Sequence, residues 1–265
     1  MSAPRVFDGK HYESLNASRG AVVSELLSEI SKPLGLQTAI DVGCGLGHFA
    51  GLLNGLGLRV IGVDGRQQNV EEAQRRFPQI VFQQCDAQDS ALRGLGQFDL
   101  VFCFGLLYHL ENPLLAIRHL HAMTTKLLLL EGVIFPGEDP IMALVDEELH
   151  DDQGLNHIAF YPTEACLVKM LYRCGFSQAY GLARQPDHPD YHSSPDSRRV
   201  RTVLVASRSP IASKLLMTIP EPSTPIRPWD SSSGIPKPSA LQKLGRFVQK
   251  PMREKVQAVK RLMKG

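Results

Sequence analysis

Asp41-Val42-Gly43-Cys44-Gly45-Leu46-Gly47-His48-Phe49 is the stretch whose reading decides the fold. It lies between a strand-like apolar run, Thr38–Val42, and a helical stretch, 47–56. Glycines at a strand-to-helix turn let the backbone approach a ligand with no Cβ in the way. The helix N-terminus that follows offers free N–H groups. A dinucleotide fingerprint, GxGxxG, would need its third glycine at position 48; that position is His48, and the third glycine comes one residue early, at Gly47. Asp41 would repel a pyrophosphate but can pair with an ammonium, which favours a nucleoside ligand carrying one. A glycine turn with only a structural role remains open.

Working outward, strand-like runs alternate with helical ones. Strands are expected at Thr38–Val42, Arg59–Asp64, 80–85, Phe98–Phe104 and 126–134. Helices are expected at 47–56, 67–77 and Pro113–Met123, with a poorly formed segment at 87–94. Such alternation implies parallel pairing, because each crossover must cover a sheet face. The continuous apolar runs LVFCF and LLLL fit strands buried on both faces. Upstream, Val22, Val23, Leu26, Leu27 and Ile30 share one helical face, which Lys32-Pro33 should end. Past the fifth strand, 136–161 reads as a long insertion with a helix at 141–149. A helix follows over 163–174, with Thr163 as N-cap and Gly175 as stop. Two more strands, 176–183 and 199–207, flank a polar loop. The expected fold is α/β: a Rossmann-like, seven-stranded, mostly parallel sheet with helices on both faces and the last strand antiparallel. The expected division is a helical lid (1–35), the main domain (36–209), a Pro/Ser-rich linker (210–239) and a basic amphipathic helix (240–265).

Composition is that of a globular protein, 43% hydrophobic and 21% charged. No apolar run approaches the ~20 residues of a membrane helix, and the first residues lack the apolar core of a secretory signal. Five cysteines without a CxxC pair argue against a disulfide framework or a cysteine zinc site. A soluble, cytoplasmic protein is expected. From Lys237 onward there are nine Lys or Arg and one acid, a local +8 against +2 for the whole chain, so the remainder carries −6. In this tail Leu241, Leu244, Val248, Met252, Val256, Val259 and Met263 form a helical stripe, divided by Pro251. Docking on its own domain or on a second copy, as a homo-oligomer, is the preferred reading. An anionic membrane surface, with peripheral attachment, ranks next and nucleic acid last.

Acids close three strands: Asp41, Asp64 and Asp86. Asp64 can accept both hydroxyls of a ribose, as an acid does at this topological position. Asp86 can accept from an adenine amino group while the Ala87 N–H meets a ring nitrogen. Together with QFDLVFCFGLLYHLENP, the segments DVGCGLGHF, VIGVDG and CDAQD resemble, in order and spacing, the motifs of class I S-adenosylmethionine (SAM)-dependent methyltransferases. The resemblance spans roughly residues 20–207. It implies that Gly43, Gly45 and Gly47 line the methionine part of SAM, that Asp64 binds ribose, and that Asp86 and Ala87 bind adenine. It also sets Phe104 beside the cofactor, makes YESLNASR a lid, and makes Arg19 a candidate partner for the SAM carboxylate. GLLYHLENP is similar to segments in enzymes acting on metabolites, glycans and tRNA uridines, so it does not name the acceptor.

Methyl transfer is an in-line displacement for which the protein mainly aligns the acceptor. A base is needed only for a hydroxyl or protonated amine. His109, just past the fourth strand, is the candidate. His150, Asp151, Asp152, Asn156 and His157, and separately Asp187, His188, Asp190 and His192, are expected to rim the acceptor side as polar loops, with no metal. Cys44 and Cys103 read as core residues, and His119 and His121 as helix residues without a chemical role. The expected function is SAM-dependent methyl transfer to an oxygen or nitrogen of a small metabolite or saccharide. The alternatives are an RNA base methyltransferase and a non-catalytic SAM-binding module acting through its tail.

Overall fold

The computed structural model describes residues 9–147, 154–194 and 197–223. β1 (Thr38–Val42), β2 (Arg59–Asp64), β3 (Val81–Gln84), β4 (Phe98–Phe104) and β5 (Thr124–Val133) pair in parallel, in the order β3-β2-β1-β4-β5. The chain moves outward from β1 through β2 to β3, then returns to β4 on the other side of β1. That reversal opens a crevice at the carboxyl ends of β1 and β4, where open α/β sheets bind ligands.

Every second residue of the central strands faces one of two apolar layers. Ala39, Leu100, Phe102, Leu127 and Leu129 pack with α1 (Lys10–Leu34), α2 (His48–Gly55) and α3 (Gln67–Arg76). Ile40, Val101, Cys103, Leu128 and Leu130 pack with α4 (Pro113–Met123) and α5 (Glu164–Arg173). Six buried apolar side chains of α1, from Leu15 to Ile30, anchor it, each contributing about 1.5–3 kcal/mol of burial. The N-terminal helix expected as a lid is therefore also a core element. It runs past Lys32-Pro33 to Leu34, where Gly35 (φ 60°) donates its N–H to the Lys32 carbonyl and ends it. Helix starts follow local chemistry. Asn112 Oδ1 accepts from Leu115 N (3.0 Å) ahead of Pro113, and Thr163 Oγ1 accepts from Cys166 N (3.1 Å).

Three expectations are corrected. The main sheet has eight strands, not seven: β8 (Gln178–Leu182), β9 (Arg201–Ser207) and β10 (Leu216–Thr218) complete it, with β9 antiparallel between β5 and β8 and β10 antiparallel on the edge. Part of the linker expected at 210–239 is instead strand, since Leu216–Thr218 pairs with Tyr180–Leu182 of β8. Instead of the helix at 141–149, Met142–Asp146 is a strand, β6. It pairs with β7 (Ile158–Pro162), a strand not expected from sequence. Good helix formers such as Ala143, Leu144 and Glu147 lose here to main-chain pairing with the β-prone IAFYP. The basic helix expected at 240–265 lies outside the described residues.

Candidate functional site

One cleft of about 590 Å³ opens at the carboxyl ends of β1, β2 and β4, a size typical of ligand pockets. Its floor is the turn after β1. Gly43 (φ 78°) lies so close to Leu106 that a Cβ would come within 2.9 Å of it. At Gly45 (φ 52°) a Cβ would meet nothing within 4 Å and would project into open cleft. The turn is held by Asp64: its Oδ2 accepts from Gly45 N (2.9 Å), and its Oδ1 from Arg66 N (2.9 Å) and Asn69 Nδ2 (3.1 Å). Asp86 and Ala87 line the next part of the wall, with Asp86 Oδ1 accepting from Gln88 N at 2.8 Å. His119 of α4 is buried, and its Nδ1 is 3.2 Å from the Ala87 carbonyl, bracing that wall.

Two expected binding residues do not line the cleft. Asp41 is 2% exposed beneath the glycine turn, bonded to the Ala50 N–H of α2. Burial, helped by the nearby Asp64 carboxylate, pushes its carboxyl up to about 7. Among the described residues its Oδ2 has no hydrogen-bond partner. Gly47 (φ 82°) precedes α2, and a Cβ there would come within 3.0 Å of Phe77 and Phe82. Its third-glycine role is thus close packing between α2 and the β3 layer.

The far end of the cleft is built around a buried carboxylate. Glu131 of β5 is fully buried. Arg19 Nη2 stands 3.0 Å from both of its oxygens, Arg201 Nη1 3.1 Å from Oε1, and the Tyr191 hydroxyl donates to Oε1 at 2.5 Å. Arg201 Nε also lies 3.3 Å from Asp190. Burial alone would raise the Glu131 carboxyl, but the two guanidinium groups hold it below its ordinary range. Arg19 and Arg201 both line the cleft. Arg19 further donates to Tyr191 (3.0 Å) and Asn16 (3.2 Å). Asp190 and His188, expected to rim the acceptor side, instead belong to this brace, 3.8 Å apart.

His109 ends the short 3-10 turn Leu107–His109 after β4 and lines the cleft. Its Nδ1 is 2.5 Å from Oε1 of Glu147, a side chain only 1% exposed at the end of β6. Sequence reasoning missed Glu147 because it fell inside an expected helix. The acid run DEEL was visible, but its pairing to His109 depends on a contact 38 residues apart. Phe104, as expected, lines the cleft, as do Cys44 and Cys85. Cys103 is buried and its thiol is pushed up by desolvation, which makes it inert. Among the described residues no three His, Cys, Asp or Glu side chains gather as a metal site. No helix there is long and apolar enough to cross a membrane.

Sheet order, crevice and strand-end acids define a Rossmann-like nucleoside-binding domain. Residues 40–126 match the family model for a methyltransferase domain, and the sheet around them has the fold of solved SAM-dependent methyltransferases. Among curated proteins, the chain is similar to a tRNA U34 carboxymethyltransferase of Tolumonas auensis, 30% identical over 156 residues (54% of this chain, 45% of that one). A protein of the same name from Shewanella denitrificans is 32% identical over 155 residues (55% and 45%). The chain thus spans less than half the length of these relatives. Among solved structures, the N-terminal domain of EvdMO1 with SAH bound superposes with a TM-score of 0.59 at 21% identity (74% of this chain, 81% of that one). Magnesium protoporphyrin IX methyltransferase from Synechocystis with bound SAM gives 0.53 at 21% identity (78% and 87%). These structures share the fold.

Proposed function

We propose that this protein transfers a methyl group from SAM to an oxygen or nitrogen of a small metabolite or saccharide, with His109 as base. The observation that carries this reading is that Asp64, Asp86, the Gly43–Gly45 turn and His109 all open onto one cleft. The donor chemistry fits a nucleoside carrying a cationic amino-acid tail. Asp64 offers carboxylate oxygens to ribose hydroxyls, Asp86 and Ala87 suit an adenine edge, and the open space at Gly45 admits a ligand where any Cβ would intrude. Arg19 is the candidate for the carboxylate of the tail. When bound, SAM supplies an electrophilic methyl on a sulfonium, so no further activation is required of the protein. The chain's own task is to align the acceptor in line with that methyl. His109, with Nδ1 engaged by Glu147, takes the proton that a hydroxyl or protonated amine must lose.

Charge bears on the acceptor class. The insertion that carries Glu147, residues 136–157, contains seven carboxylates and no Lys or Arg. A stretch of that composition repels a polyanion and suits a neutral or cationic acceptor. A second reading has a specific observation behind it: the curated relatives are named for tRNA U34, which favours a uridine acceptor in RNA. Calorimetry with SAM, followed by radiolabel transfer to a panel of saccharides, small amines and total tRNA, tests both. Transfer to tRNA alone, falling steeply with salt, would establish the RNA reading. NAD binding without any SAM heat would refute the cofactor.

A further inference from the structure

We propose that Glu147 is a positioning residue that joins His109 and the Gly154-Leu155 segment at the cleft into one unit, through His109 Nδ1 (2.5 Å) and Gly154 N (2.7 Å). The proposal rests on the reading of His109 as base. A carboxylate only accepts hydrogen bonds. Glu147 Oε2 accepts from the Gly154 N–H, so with Glu147 as a carboxylate the ring nitrogen facing Oε1 is the one that carries a proton. That leaves the lone pair on Nε2, the form a base requires.

The second contact ties this tautomer to the Gly154-Leu155 segment. The Gly154 backbone lies so close that a Cβ would sit 2.7 Å from the His109 carbonyl and 2.8 Å from Glu147 Oε2. The next residue, Leu155, lines the cleft and reaches over β2's end: its Cδ1 would be 2.9 Å from a Cβ on Gly65. Gly65 directly follows Asp64, the candidate ribose ligand. One buried carboxylate therefore spans the base at one side of the cleft and the Gly154-Leu155 segment at the nucleoside side.

Glu147→Gln separates this from simple support of the fold. Glutamine has one acceptor where glutamate has two. If its oxygen stays on His109, its NH₂ opposes the Gly154 N–H. If it turns to satisfy Gly154, its NH₂ donates to Nδ1 and the proton moves to Nε2. The test is ¹⁵N NMR of the His109 ring together with S-adenosylhomocysteine affinity by calorimetry, on the full chain. Wild type should show the Nδ1–H form. In Glu147→Gln either the Nε2–H form appears, or homocysteine-nucleoside affinity falls about tenfold, the scale of a lost buried hydrogen bond. If both readouts match wild type, the proposal is wrong. Gly154→Ala is the second probe should the first variant not fold. It should weaken S-adenosylhomocysteine and speed Leu155 amide exchange, and no change in either would overturn the coupling. If His109→Ala still turns over, the base reading fails, whatever Glu147 does. If it is inactive while Glu147→Gln is normal in both readouts, only the present inference fails.

Discussion

Replacing Asp41 by Asn should make the protein more stable at neutral pH, by an amount that depends on pH in a defined way. The carboxyl is 2% exposed, and burial sets its folded value at about 7, against about 3.9 in an unfolded chain. Between these values the folded state keeps a proton that the unfolded state releases. Stability must therefore fall as pH rises through that window and level off above it. Three units amount to about 4 kcal/mol. Asn copies the protonated acid closely: its oxygen can keep the Ala50 N–H, and its NH₂ stands where Oδ2 has no partner among the described residues. The variant should thus match wild type near pH 4, gain steadily above it, and lead by about 4 kcal/mol from pH 7 upward. Urea unfolding followed by far-UV circular dichroism at half-unit steps measures the difference, and other titrating groups cancel in it. A gap that is flat from pH 4 to 7, or that favours wild type at pH 7, would refute the reasoning.

Three further outcomes are expected. Asp64→Ala should weaken SAM by about 1.5–3 kcal/mol, since it removes charge-assisted bonds and frees the Gly45 and Arg66 amides; calorimetry reads this directly. Gly45→Ala and Gly43→Ala should part company. The first, with open space around its Cβ, should keep most of its thermal stability yet lose SAM binding, whereas the second, 2.9 Å from Leu106, should lose stability as well, beyond the ~1–2 kcal/mol of a left-handed alanine. Glu131→Gln should cost about 3–5 kcal/mol at pH 7 by leaving Arg19 and Arg201 without their shared buried anion. Because the folded Glu131 value is depressed, the stability it adds is present above the ordinary carboxylate range and lost as pH falls through the folded value. The gap between wild type and variant, followed by calorimetric unfolding, should narrow in acid.

Sequence by itself determined the parallel core, its helices and the cofactor-facing turn. Each of these is written in local signals: apolar runs of strand length, the caps Asn112 and Thr163, Pro113, and glycines at a strand end. Order and spacing of Asp64, Asp86 and His109 then placed them at neighbouring strand ends, because parallel crossovers bring successive carboxyl ends together. Tertiary structure alone decided what depends on partners distant in the chain. Met142–Asp146 became a strand because Ile158–Pro162 was there to pair with it. Asp41 and Gly47 proved to be buried supports because α2, α3 and β3 close over them, which spacing cannot express. Arg19 met Glu131 across 112 residues, and His109 met Glu147 across 38. A buried ion has a stable place only where its counter-ion arrives in the folded state, and no local pattern in the sequence records that arrival.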